Sequence, residues 1–221
     1  MRKKLFLLPG FGEDSFCFRE LTQYLKNYEL ITVDYRPVLH KFSFPFISRN
    51  QFCRQLITHY NIQENDKLIG HSMGGYFSFQ IREIIGSEIC MIASFSDPGK
   101  LIHILPQFPR ATQIAALSGM LKTNFLKNFL LNKIKDENYK NIQMAVMDNF
   151  KNFSNIQLGL MMEMNMEDYI HSDLPNPLRI HDKKDRVVAA PDQHYIQING
   201  GHFCLNLHAE ETYMAMQDFL N

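Results

Sequence analysis

The sequence predicts an α/β chain: a mostly parallel sheet of about six strands, flanked by helices and interrupted by a helical insertion. Three observations predict it. Short apolar runs alternate with helix-length amphipathic stretches, the pattern of βα repeats around a parallel sheet. The alternation disappears across residues 100–171, where apolar residues recur at helical spacing instead. The chain has 221 residues, 45% hydrophobic and 21% charged, which suits one globular domain able to build its own core.

The elements follow in order. Residues 5–8 are continuously apolar, as a strand buried on both faces requires. Phe18, Leu21 and Leu25 then share one helical face. Residues 30–33 make a second strand that ends at Asp34, and a loop rich in phenylalanine and proline covers 36–47. Ser48 and Gln51 have capping-box spacing and open a helix through about Tyr60. A third strand, 67–69, breaks at Gly70, and a helix runs from Met73 to Ile85. Residues 89–95 read as a fourth strand, stopped by Pro98 and Gly99. Within the insertion, Leu117, Leu121 and Phe125 recur at helical spacing, as do Ile142, Val146 and Phe150. Pro175 and Pro177 mark the return to the sheet, with a fifth strand at 178–181 and a sixth around 195–198. Tyr213, Met216 and Leu220 share one face of the last helix.

Composition narrows the functional classes. Lysine plus arginine total 23 and aspartate plus glutamate total 23, so the basic excess that phosphate neutralisation needs is missing, and a nucleic-acid partner is not expected. No apolar run approaches the roughly 20 residues of a membrane span. The apolar run after Arg2, Lys3 and Lys4 stops at Pro9 and reads as a strand rather than a secretory signal. Cys17, Cys53, Cys90 and Cys204 have neither C-x-x-C nor zinc-finger spacing, so reduced thiols and a cytoplasmic setting are expected. None of the nine histidines has H-x-x-x-H spacing, and a metal mechanism finds no support. A small-molecule substrate is the expected partner.

Chemistry concentrates at Gly70-His71-Ser72-Met73-Gly74. This G-x-S-x-G lies between a strand and a helix, the context that makes the motif meaningful. A serine on so tight a turn projects its hydroxyl at the sheet edge, and the small flanking residues let the turn close. The next backbone N–H, that of Met73, stands at a helix N-terminus where it can bind a developing oxyanion.

At these residues the sequence resembles the α/β-hydrolase superfamily, and the resemblance spans the chain. Pro9-Gly10-Phe11-Gly12 is similar to the family's H-G-x-G loop, with proline in place of histidine, and implies that Phe11 supplies a second oxyanion N–H. The stretch from Arg179 to Val188 resembles the segment bearing the catalytic acid, and the match falls on Asp185. Asn199-Gly200-Gly201-His202-Phe203 resembles the segment bearing the catalytic histidine. The order Ser72, Asp185, His202 is the order this fold uses. Asp182 stands where the family most often has glycine, which leaves two carboxylates at one strand end. Asp182 is therefore an alternative acid, and Asp97, after the fourth strand, is a third. His71 is expected to pack or line a pocket rather than act as the base.

The resemblance also implies a core formed by residues 1–99 and 172–221, a six-stranded sheet, and a cap formed by 100–171. The helix that usually separates the acid from the histidine is expected to be reduced or missing. Met120, Met144, Met147, Met161, Met162, Met164 and Met166 lie in or beside the insertion. Each reads singly as helix core, yet together they suit an irregular apolar pocket, so some are expected to face substrate. Arg110 and Lys122 could meet an acidic group there, although solvated charge is the default. The implied function is a serine hydrolase, without cofactor, that cleaves a carboxylic ester or thioester of a small, partly apolar substrate. A lyase or carbon–carbon bond-cleaving activity, and a non-catalytic ligand sensor, are alternatives that the same residues would serve.

Overall fold

The structure, a computed structural model, describes residues 3–44, 47–102 and 110–221. Six strands form one sheet: β1 (Lys4–Leu8), β2 (Glu29–Thr32), β3 (Lys67–His71), β4 (Glu88–Ile92), β5 (Leu178–His181) and β6 (Ile196–Gln197). Their order is β2-β1-β3-β4-β5-β6, and every pairing is parallel. Alternate residues of the central strands enter opposite cores, because successive side chains of a strand point to opposite faces. Phe6, Leu8, Leu68, Ile89 and Met91 join one core with the helices Arg49–Tyr60 and Met73–Ile85. Leu5, Leu7, Ile69, Cys90, Ile92 and Ile180 join the other with Phe18, Leu21, Leu25 and the C-terminal helices. The continuous apolar runs of β1 and β4 are thus explained by burial on both sides.

The expected capping box is present. Ser48 Oγ accepts from Gln51 N at 3.2 Å, and Ser48 N donates to Gln51 Oε1 at 3.3 Å. A cap of this kind contributes about 1 kcal/mol to the start of a helix. Residues 36–47, expected as loop, include a short helix, Arg36–Leu39, with Pro37 in its first turn, where a missing N–H costs nothing. The fourth strand is shorter than expected. Ala93 takes a left-handed φ of 47°, which turns the chain out of the sheet after Ile92.

Between β4 and β5 lie the helices Ala111–Leu117, Asn124–Leu131, Glu137–Asn149 and Asn155–Asn165. Val146 and Phe150 are buried as their spacing predicts. Leu117, Leu121 and Phe125 do not share a helix. Gly119 takes a φ of 79° and breaks the chain into a helix, a 3₁₀ turn and a second helix, leaving Phe125 81% exposed. Met147, Met161, Met162 and Met164 are core residues, whereas Met120 and Met144 are exposed. Arg110 is exposed, and Lys122 Nζ donates to the Phe153 carbonyl at 2.6 Å. The connection from β5 to β6 holds turns and an isolated antiparallel bridge of Val188 with Leu101, and no helix, as expected. Among the described residues, no helix is long and apolar enough to cross a membrane. All four cysteines are free and buried.

Candidate active site

The site sits where β3 meets the helix Met73–Ile85. Ser72 occupies the junction with φ 52° and ψ −123°, a conformation that costs a non-glycine residue about 1–3 kcal/mol and must be held by its surroundings. The holding contacts are visible. Ser72 N donates to the Ile92 carbonyl at 3.0 Å, and the Ser72 carbonyl accepts from Ser94 Oγ at 2.6 Å. A Cβ at Gly74 would lie 2.0 Å from the Leu8 carbonyl oxygen, so only glycine lets the elbow seat against the end of β1. The loop after β1 closes in from the other side: a Cβ at Gly10 would stand 3.1 Å from Ser72 Cβ. The Phe11 peptide follows directly, and Met73 opens the helix, where N–H groups lack intrahelical acceptors.

Asp185 and His202 come together although 17 residues separate them. His202 Nδ1 lies 2.8 Å from Asp185 Oδ2, and both side chains are buried. The other carboxylate oxygen, Oδ1, accepts from Val187 N at 2.7 Å and Val188 N at 3.1 Å. Burial pushes the Asp185 carboxyl up, but His202 and these two N–H donors outweigh it and hold the group below its ordinary range. Asp182 faces elsewhere. Its Oδ2 accepts from Gly201 N at 2.7 Å and its Oδ1 from Lys184 N at 2.9 Å, which ties the loop before His202 to the end of β5. Asp97 accepts from Gly99 N at 2.8 Å and caps the turn after β4. Of the three candidate acids, Asp185 is the one bonded to the histidine. Ser72 Oγ has no hydrogen bond among the described residues.

No protein-family model matches the sequence, and no curated protein matches it either. Solved structures do match. A hydrolase from Oleispira antarctica superposes with a TM-score of 0.75 at 16% identity, over 99% of this chain and 91% of that one. An enol-lactonase from Burkholderia xenovorans LB400 gives 0.74 at 16% identity, over 100% and 92%. A thermophilic esterase from Thermogutta terrifontis gives 0.72 at 13% identity, over 99% and 89%.

The chain has the α/β-hydrolase fold.

In this hydrolase fold one buried pair went unread in the sequence. His71, beside the elbow serine, is fully buried, with Nδ1 2.8 Å from Glu13 Oε2 and Nε2 2.8 Å from the His202 carbonyl. Both partners can accept, which favours hydrogen on both ring nitrogens and the imidazolium form of His71. Burial works against each charge. It pulls His71 down and pushes Glu13 up, but their mutual attraction and hydrogen bond prevail, so His71 titrates above its ordinary value and Glu13 below. Glu13 Oε2 also accepts from Gly10 N at 2.7 Å. One ion pair therefore joins three parts of the site: the loop carrying Phe11, the residue before Ser72, and the backbone of His202.

Cys17 completes a group with Glu13 and His71 whose possible ligand atoms lie within 4.8 Å of one another. The donor set does not suit a cation. Burial and the Glu13 charge push the Cys17 thiol well above its ordinary value, which keeps it protonated, and both His71 nitrogens are already engaged. The insertion reaches the same loops. Phe150 packs on Phe11 with ring centroids 5.5 Å apart, Asn149 Nδ2 donates to the Gly12 carbonyl at 2.8 Å, and Tyr139 packs on Phe203 at 4.9 Å.

Proposed function

We propose that this protein is a serine hydrolase that cleaves a carboxylic ester or thioester of a small, partly apolar substrate. The observation that carries the reading is the buried His202–Asp185 bond of 2.8 Å, taken with a serine on a strained strand-to-helix turn whose neighbour His71 bonds the His202 carbonyl. Ser72 Oγ attacks the acyl carbonyl as His202 Nε2 takes its proton. The tetrahedral oxyanion is held by the N–H groups of Phe11 and Met73, donors worth about 2.7–4 kcal/mol each in such sites. Collapse expels the leaving group, which takes the proton from His202, and water then repeats the cycle on the acyl-enzyme. Asp185 holds the imidazole with Nδ1–H toward itself, leaving Nε2 free to accept. The solved structures named as hydrolase, esterase and enol-lactonase support acyl transfer to water as the reaction class. Residues 100–171 act as a cap, a role supported by the contacts of Phe150, Asn149 and Tyr139 with the Phe11 and His202 loops. Four free, buried thiols support work in the reducing cytoplasm.

A fluorophosphonate probe tests the reading directly. It should add one phosphonyl group to Ser72, read by mass spectrometry of the intact protein and its peptides. Ser72→Ala should abolish the adduct and His202→Ala should reduce it to background. Labelling that persists in Ser72→Ala, or that never occurs in folded wild-type protein, refutes the assignment.

A further inference from the structure

One strand away from the elbow, past the ends of β4 and β5, lies a cavity of about 260 Å³. That is the space of some eight or nine waters at roughly 30 Å³ each, enough for a charged group and a few carbons. Ser94, Ser96, Lys100, Tyr169 and Arg179 are among its walls. Ser94 also donates to the Ser72 carbonyl, so the cavity begins at the backbone of the elbow.

Arg179 is the anomaly. It sits on β5, opposite Met91, with only 4% of its surface exposed. Nη2 donates to Ser96 Oγ at 3.0 Å, while Nε and Nη1, both closed off from solvent, have no acceptor. No carboxylate pairs with it among the described residues, and the residues outside the description contain neither Asp nor Glu. Its other neighbours are the Phe79 ring, 5.7 Å away, and Arg82, whose charge repels it. Burial, offset in part by Tyr169 and helped by a smaller push from Arg82, brings the Arg179 guanidinium down to about 10. The two acids at the cavity wall are already occupied: Asp192 pairs with Lys100 at 2.5 Å, and Asp97 caps Gly99. Buried charges are paired in stable folds because leaving water without a partner is costly. A guanidinium buried here beside open space asks for its counter-ion from outside the chain.

We propose that the Arg179 cavity is an oxyanion-group subsite that binds a carboxylate or phosphate carried by the substrate. Guanidinium is the side chain best matched to both groups, through charge and paired N–H donors. Placed beside the elbow, the subsite would anchor the far end of an acidic ester and hold its acyl carbon near Ser72. The substrate half of this inference rests on the hydrolase reading; the anion-binding half does not.

The test therefore has two arms. In the first, melting temperature is followed in wild type, Ser72→Ala, Arg179→Met and Arg179→Lys with glutarate or inorganic phosphate, against chloride at matched ionic strength. Glutarate or phosphate should stabilise wild type and Ser72→Ala, with affinity at least about tenfold weaker in Arg179→Met, the loss expected for one charge-assisted contact. Which of the two anions binds names the source of the group. Without anion, Arg179→Met should melt no lower than wild type, because it removes an unpaired buried charge; that result also shows the variant is folded. Arg179→Lys keeps the charge without the fork and should fall between. In the second arm, p-nitrophenyl hemiglutarate is compared with p-nitrophenyl valerate, equal in length but neutral. The ratio of their kcat/KM values should drop at least about tenfold in Arg179→Met. The absence of any Arg179-dependent stabilisation by either anion overturns the subsite. Anion binding without hydrolysis of either ester instead overturns the hydrolase reading and leaves the subsite standing.

Discussion

Replacing Glu13 with glutamine probes the clamp beneath the site most sharply, because it removes a charge and little else. An amide of the same shape can still accept from Gly10 N and from His71 Nδ1 through its oxygen, so the contacts of 2.7 and 2.8 Å survive in form. What is lost is the compensation of a fully buried imidazolium. If His71 stays charged, the cost is that of a broken buried pair, about 3–5 kcal/mol. His71 can escape by losing its proton, keeping Nε2–H on the His202 carbonyl while the new amide turns its NH2 toward Nδ1. Gly10 N then loses its acceptor, at about 1–3 kcal/mol. The cheaper route sets the expected loss near neutral pH, about 1–3 kcal/mol. The sign with pH follows from the two shifts. His71 titrates above 6.5 in the fold, so its share of stability is complete below 6.5 and is lost as pH rises through the raised value. Glu13 titrates below 4.5, so its share is complete above 4.5 and is lost as pH falls through the lowered value. The gap between wild type and Glu13→Gln should thus be widest between 4.5 and 6.5 and should close on both sides. Urea denaturation across this pH range, with m-values compared to confirm a common unfolded state, measures it. A gap that is absent, or equally large at every pH, refutes the ion pair.

Asp185→Asn should slow acylation of Ser72 by about 10⁴, the cost of a misoriented histidine in a related triad. Asp182→Asn should cost at most about tenfold, since it weakens the holds on Gly201, Lys184 and Gln197 and leaves the His202 contact alone. Pre-steady-state release of p-nitrophenol separates the two, and the reverse ordering would assign the acid to Asp182. On neutral p-nitrophenyl esters, kcat/KM should climb from acetate toward medium chains as each buried methylene adds up to about 0.8 kcal/mol, then fall once the space is full. A maximum at acetate would mean that the insertion closes down on a small acyl group.

Local chemistry wrote the scaffold into the sequence. Continuous apolar runs in β1 and β4 announce strands covered on both faces, and Ser48 with Gln51 announces a helix start, because neighbours along the chain set backbone conformation and capping. The elbow was legible for the same reason: strand, Ser72, helix and flanking glycines are contiguous. Where a local signal competed with backbone geometry it failed, as when Gly119 turned left-handed and split the Leu117–Phe125 period, or when Ala93 ended β4 early. Side-chain partnerships belong to the tertiary structure. Asp182 and Asp185 are three residues apart at one strand end, and either could have met His202. The turn after β5 decides, folding Asp185 under the Val187 and Val188 amides and turning Asp182 to Gly201. Glu13 and His71 are 58 residues apart and follow no spacing rule. They meet because β1 and β3 are adjacent parallel strands whose ends deliver both residues to one edge. Arg179 reads along the chain as a polar lapse in a strand. Only packing against Met91 and Phe79 strips it of water and partners, because burial depends on what the rest of the fold brings over a residue.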